Sequence, residues 1–173
     1  MSDIIKGLEE IIARGENPAL SVVSLSIGGG INEAIDTAVR NTIEAGYTCS
    51  IAAGNSDMSA CLESPARVEE GLTVGATDIT DSRAYWSSYG TCVDIFAPGE
   101  DVRSAVSTCD TCYTTWSGTS MSTPHVSGVA AIHMGAGTCH DNDSCKQKIL
   151  NDATRDVITD PGPGSPNLLL YCE

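Results

Sequence analysis

Basic residues are scarce in this chain. Nine lysines and arginines stand against 23 aspartates and glutamates in 173 residues, a formal net charge of −14. Nucleic acid and anionic membrane surfaces need basic patches, so the shortage argues against both as partners. No apolar run approaches the ~20 residues that span a bilayer. The N-terminal "MSDIIKGLEEIIARG" has no apolar export core and no cleavage signal. Internal repeats and low-complexity linkers are missing too, and the length suits one domain with one sizeable core. What the chain does have is acid, which fits a solvated surface, a soluble extracellular protein, or a protein that takes up cations.

Histidines are few, at positions 125, 133 and 140, and only one C-x2-C pair occurs, Cys109 to Cys112. A zinc site wants paired C-x2-C units or nearby histidines, so the eight cysteines read as disulfides of an oxidising compartment. Short spacing points to Cys109–Cys112 and Cys139–Cys145. Cys49 lies in the apolar run "YTCSIAA" and reads as a buried thiol. The oxidising signal and the missing export signal conflict, and one resolution is that the true start of the protein lies upstream of Met1.

Ile4, Ile5, Leu8, Ile11 and Ile12 fall on one helical face, and Gly15 stops that helix. "ALSVVSLSI" is a buried strand that ends in Gly28-Gly29-Gly30. "INEAIDTAVRNTIEAG" repeats apolar residues at Ile31, Ile35, Ala38, Val39 and Ile43, as a helix does, and "YTCSIAAGN" is a second buried strand. Strand, helix, strand with short links predicts a βαβ unit in a parallel sheet with a right-handed crossover. Residues 56–117 read as short strands and loops, including "GLTVGA", "CVDIFAPG" and "DVRSAVS". A helix then opens at "GTSMSTPHVSG", where Gly128, Ala130 and Ala131 would allow close packing. A last helix, near "DSCKQKILNDAT", precedes "PGPGSPNLLLYC".

Ser120 at a helix N-terminus has a structural reading as a cap. The same place offers free N–H groups and a positive dipole end to a developing oxyanion. Gly118 permits a second chain to approach the backbone. "AAGN", Ala52 to Asn55, ends a buried strand, and sites in open α/β sheets gather at such carboxyl ends. Asn55 is either a turn residue or an amide aimed at an oxyanion. The segment Gly118-Thr-Ser-Met-Ser122 does not fit the G-x-S-x-G elbow of α/β-hydrolases.

"GTSMSTPHVSGVAA", "SLSIGGG", "AAGN" and "SPARVEEGLTVGATD" with "YGTCVDIFAPG" resemble the subtilases, the subtilisin-like serine peptidases, and within them the proteinase K and aqualysin branch. The likeness runs down to "GSPNLLLY". It implies a three-layer α/β sandwich with a mainly parallel sheet, incomplete at its N-terminal side, with residues 1–173 as the C-terminal portion of the peptidase domain. It makes Ser120 the nucleophile, and Asn55 with the Ser120 backbone N–H the oxyanion hole. Ser26, Ile27 and Gly28 would pair with an extended substrate. Ala52, Ala53 and Gly54 would wall the pocket for the residue before the scissile bond, beside Gly118 and Thr119. It also implies a Cys61–Cys92 disulfide, and a structural calcium ion held by the carbonyls of Glu69 and Gly71 and by Asp94, an oxygen set that calcium favours. Asp94 also reads as a local turn cap. Cys172 would pair with a cysteine upstream.

The family's triad aspartate and histidine sit in D-S/T-G and H-G-T motifs, and neither occurs here. His125 is five residues past Ser120, about 140° around the helix and about 7.5 Å along it. His133 is roughly 20 Å along the same helix, His140 lies beyond it, and no motif brings Lys6, Lys146 or Lys148 to the site. The expectation is a secreted serine endopeptidase acting on proteins or peptides, active only with the upstream part of its domain. The alternative is a shortened, non-catalytic peptide-binding module using the Gly28–Gly30 edge. Alone, the chain would leave an apolar sheet edge uncovered and would fold poorly or self-associate. In "CLESPA", Glu63 takes the place of the aromatic pocket floor of its relatives. Either it faces the pocket and favours a cationic substrate residue, or it swings to solvent and leaves the pocket apolar.

Overall fold

The structure, a computed structural model, describes residues 2–172. Its elements run α1 (Ser2–Arg14), β1 (Val22–Leu25), β2 (Gly29–Gly30), α2 (Glu33–Glu44), β3 (Thr48–Ala52), β4 (Glu63–Ser64) and β5 (Leu72–Thr77). There follow β6 (Ile95–Pro98), β7 (Val102–Ala105), β8 (Tyr113–Trp116), α3 (Thr119–Gly135), α4 (Asn142–Asp152), β9 (Thr154–Arg155) and β10 (Leu168–Leu169). Six strands form one sheet in the order β1-β3-β5-β6-β10-β9. All its pairings are parallel except β9 against β10.

Every residue of β3 and β5 is buried, as a central strand covered on both faces requires. One face packs on α1 and α2 through Leu8, Ile35, Val39, Ile51 and Val68. The other packs on α3 and α4 through Val74, Ile95, Val126, Ala130 and Ile149. These are the three layers expected. β1 pairs with β3 alone, so its far edge carries no strand among the described residues.

Two local expectations change. Ile31 is not on the apolar face of α2. It precedes the cap Asn32, whose side chain accepts from the Ile35 N–H, and it is exposed. On α3, Ala130 faces the sheet, but Gly128 and Ala131 are exposed, because the buried stripe runs through Val126, Val129 and Ala130.

Three disulfides close the loops: Cys61–Cys92, Cys109–Cys112 and Cys139–Cys145. Cys49 is a buried thiol, and burial pushes its pKa up to about 12. Cys172 is exposed near the chain end, outside these three bridges.

Candidate active site

Three parallel strands deliver their carboxyl ends to one place. β1 and β3 run in register, Leu25 beside Ile51, so Ser26–Gly28 and Ala53–Asn55 emerge side by side. β6 ends at Pro98, and the next carbonyl, Gly99, accepts the Gly118 N–H at 2.8 Å. That bond sets the start of α3, with Gly118 as its N-cap and Ser120 as its second residue. Ser120 is therefore not the cap.

Asn55 is oriented by Thr119. Its Oδ1 accepts from the Thr119 N–H and the Thr119 hydroxyl, both at 2.9 Å. The same hydroxyl accepts the Gly54 N–H at 3.2 Å. With the oxygen end of the amide fixed, Nδ2 turns the other way, toward Gly118. A Cβ built on Gly118 would lie 3.5 Å from Asn55 Nδ2 and 3.7 Å from the Ser120 nitrogen. Two N–H donors thus flank one small space beside a glycine. The Ser120 N–H is one of the donors that a helix start leaves without an intrahelical acceptor.

Ser120 and Ser26 hold each other. The Ser120 hydroxyl donates to the Ser26 carbonyl at 3.3 Å, and the Ser26 hydroxyl donates to the Ser120 carbonyl at 2.8 Å. No base reaches Ser120 Oγ among the described residues. His125 Nδ1 is engaged with the Met121 carbonyl at 2.8 Å. His133 sits between Thr138 and Asp152. Lys146 and Lys148 are bound to oxygens elsewhere.

Beside Ser120 lies a pocket of about 260 Å³, lined by Ile27, Gly28, Ala52, Gly54, Asn55 and Glu63 among others. Ala53 is not part of it; its side chain turns into a core cluster with Ala60 and Phe96. Glu63 does not swing to solvent. It is 8% exposed, and its carboxylate accepts from Ser56 Oγ at 3.1 Å and Ser88 Oγ at 2.9 Å. Gly54 has φ +109°, and a Cβ there would collide with that carboxylate. Gly29 and Gly30 pair with Ser64 and Glu63 as β2 and β4, so part of the glycine edge is already taken by the pocket wall. On the other side of Ser120, a cleft of about 360 Å³ runs under the β7–β8 hairpin, past Trp116, Met121, Pro124 and His125.

The oxygens assigned to calcium are also gathered, away from the serine. The Glu69 and Gly71 carbonyls and Asp94 Oδ1 all meet the Lys146 ammonium. Burial pushes the Asp94 carboxyl above its ordinary range, against the opposing pull of Lys146 and the Thr73 N–H. Occupied in this way, the three oxygens do not fit a calcium ion.

Sequence reasoning missed Ser56, Ser88 and Lys146 as neighbours of the two carboxylates. Ser88 reaches Glu63 across 25 residues of chain, Lys146 reaches Asp94 and, across 75 residues, the Gly71 carbonyl, and no local spacing marks either. It also missed β8, which folds back on β7 and walls the second cleft.

The sequence model of the Subtilase family matches residues 1–168. The chain is 46% identical over 170 residues to the extracellular serine proteinase of Thermus sp. (strain Rt41A), covering 98% of this chain and 41% of the relative. It is 43% identical over 170 residues to the alkaline serine exoprotease A of Vibrio alginolyticus, covering 98% and 31%. The crystal structure of a cold-adapted subtilisin-like serine proteinase superposes with a TM-score of 0.91 at 41% identity, covering 96% of this chain and 59% of that one. The chain thus spans less than half the length of these two curated relatives.

Proposed function

The chain belongs to the subtilase family, and on that premise we propose that it carries the nucleophile, oxyanion hole and specificity pocket of a serine endopeptidase. The observation that carries this reading is the joint placement of Ser120, Asn55 Nδ2 and the Ser120 N–H around one open space. In this mechanism a base outside the described residues takes the Ser120 Oγ proton. Oγ bonds to the carbonyl carbon of the scissile peptide, and the negative charge moves to the carbonyl oxygen, between the two N–H donors. Collapse of that intermediate breaks the C–N bond and returns the proton to the leaving amine. Water then cleaves the acyl-enzyme by the reverse proton transfers. The family resemblance assigns the base and its orienting acid to a histidine and an aspartate upstream of this chain. Substrates are proteins or peptides. The three disulfides and the extracellular Thermus relative support a secreted setting.

The pocket narrows the substrate class. An ionised carboxylate accepts about four hydrogen bonds, and Glu63 receives two, both from neutral hydroxyls. A buried charge without a cation is costly. A lysine or arginine side chain entering beside Gly54 would supply the cation. The preferred residue before the cleaved bond is therefore Lys or Arg.

A serine-directed organophosphorus probe tests the function on the full-length protein. The expected result is a covalent adduct on the tryptic peptide containing Ser120. A folded full-length protein that takes no label would support the peptide-binding reading instead.

A further inference from the structure

The convergence of Glu69, Gly71 and Asp94 on a lysine has a consequence for what the fold needs. Lys146 Nζ lies 2.7 Å from the Glu69 carbonyl, 2.6 Å from the Gly71 carbonyl and 2.8 Å from Asp94 Oδ1. An ammonium has three donors, and here each has an acceptor. The second Asp94 oxygen accepts the Thr73 N–H at 2.8 Å, so the carboxylate is fixed at both ends. One turn earlier on α4, Asn142 Nδ2 donates to the Glu70 carbonyl at 2.7 Å, while its Oδ1 accepts the Cys49 N–H at 3.2 Å. Three successive carbonyls, 69 to 71, are thus tied to one face of α4.

We infer that the Lys146 ammonium is a tethered cation in the seat of a divalent ion, so that this part of the fold is held without calcium. Calcium needs about six to eight oxygens at about 2.3–2.6 Å. Here two carbonyls and one carboxylate converge, and a monovalent cation already neutralises the single negative charge. To bind, a calcium ion would have to expel an ammonium whose side chain is only 15% exposed, and the two cations would then repel.

The clamp also bears on the pocket. From Glu63 the backbone turns through Arg67 N–H to the Glu63 carbonyl, Val68 to Pro65, and Gly71 to Val68. These short-range bonds link the pocket wall to the carbonyls that Lys146 holds. The inference concerns stability and does not depend on whether Ser120 is active.

The test is thermal unfolding of the full-length protein in chelator and in millimolar calcium. It is run for wild type, Lys146→Met, Asp94→Asn and the double variant. Lys146→Met in chelator should melt roughly 5 °C lower than wild type. Calcium should restore most of that loss, because with the ammonium gone the three oxygens, completed by water, can hold the ion, and the double variant should lose the restoration. Asp94→Asn alone should respond to calcium no differently from wild type, because wild type does not use Asp94 for calcium. If Lys146→Met folds only when calcium is present, the inference is supported. The inference is overturned if Lys146→Met gains no calcium response beyond wild type, or if Asp94→Asn diminishes the response of the otherwise native protein. Should Lys146→Met fail to fold in either condition, the Asp94→Asn arm decides.

Discussion

Glu63 and Asp94 are both acids taken largely out of water, and they are treated differently. Asp94 meets an ammonium and a backbone N–H from its own chain. Glu63 meets two serine hydroxyls and opens onto a pocket. Cys49, a third buried acid, has no cationic partner and is kept neutral by its burial. A charge that serves the fold is neutralised within the fold. A charge left facing a cavity, held by neutral donors only, is available to something that enters. On this contrast Asp94 is structural, and Glu63 is the residue proposed for substrate recognition.

The contrast presumes that the Glu63 pocket opens onto a working centre, and the largest effect tests that premise. Asn55→Ala removes the Nδ2 donor while leaving Ser120 in place. Steady-state kinetics of the full-length protein should show kcat lower by about 10²–10³, with KM little changed, the size found for an oxyanion-hole donor in subtilisin itself. A variant that keeps its kcat would detach the pocket from catalysis.

Glu63→Gln comes next. Peptides carrying Lys or Leu before the cleaved bond should show a Lys/Leu preference in wild type that falls roughly tenfold in the variant, about 1.4 kcal/mol of differential transition-state binding. An unchanged ratio would make Glu63 as structural as Asp94.

The smallest effect belongs to Cys49. Its folded pKa is raised from 9.0 to about 12. Its contribution to stability is therefore complete below the unfolded pKa and is lost as pH rises through the folded one. Urea midpoints should fall above pH 9, and Cys49→Ala should lack about 1.4 kcal/mol of that decline by pH 10. Equal slopes would mean that the thiol is not held neutral.

The parts of this arrangement legible in the sequence are those written in consecutive residues. The apolar run around Cys49, the glycine-bounded helix starts and the "GTSMS" segment specify strands, layers and the position of Ser120 through local periodicity and turn chemistry. Glu63 was legible only as an anomaly, a carboxylate where an aromatic residue was expected. Its orientation depends on Ser88, which reaches it across 25 residues of chain. The Lys146 clamp was illegible for the same reason: a lysine on a polar helix face reads as solvated until the fold brings the turn at 69–71 beneath it. Ile31 misled in the opposite direction, since its spacing fits the α2 face while the Asn32 cap starts the helix after it.

The paired hydrogen bonds between Ser26 and Ser120 act as a mechanical latch. One residue follows the first strand of the sheet and the other lies in the first turn of α3, and each gives its hydroxyl to the backbone of the other. Thermal displacement of the Ser26–Gly28 segment must carry Ser120 with it or stretch both bonds. In the proposed mechanism, the distance between a bound chain lying along that segment and the attacking oxygen then has a narrow tolerance, set by two short side chains rather than by the accumulated flexibility of the chain that separates them.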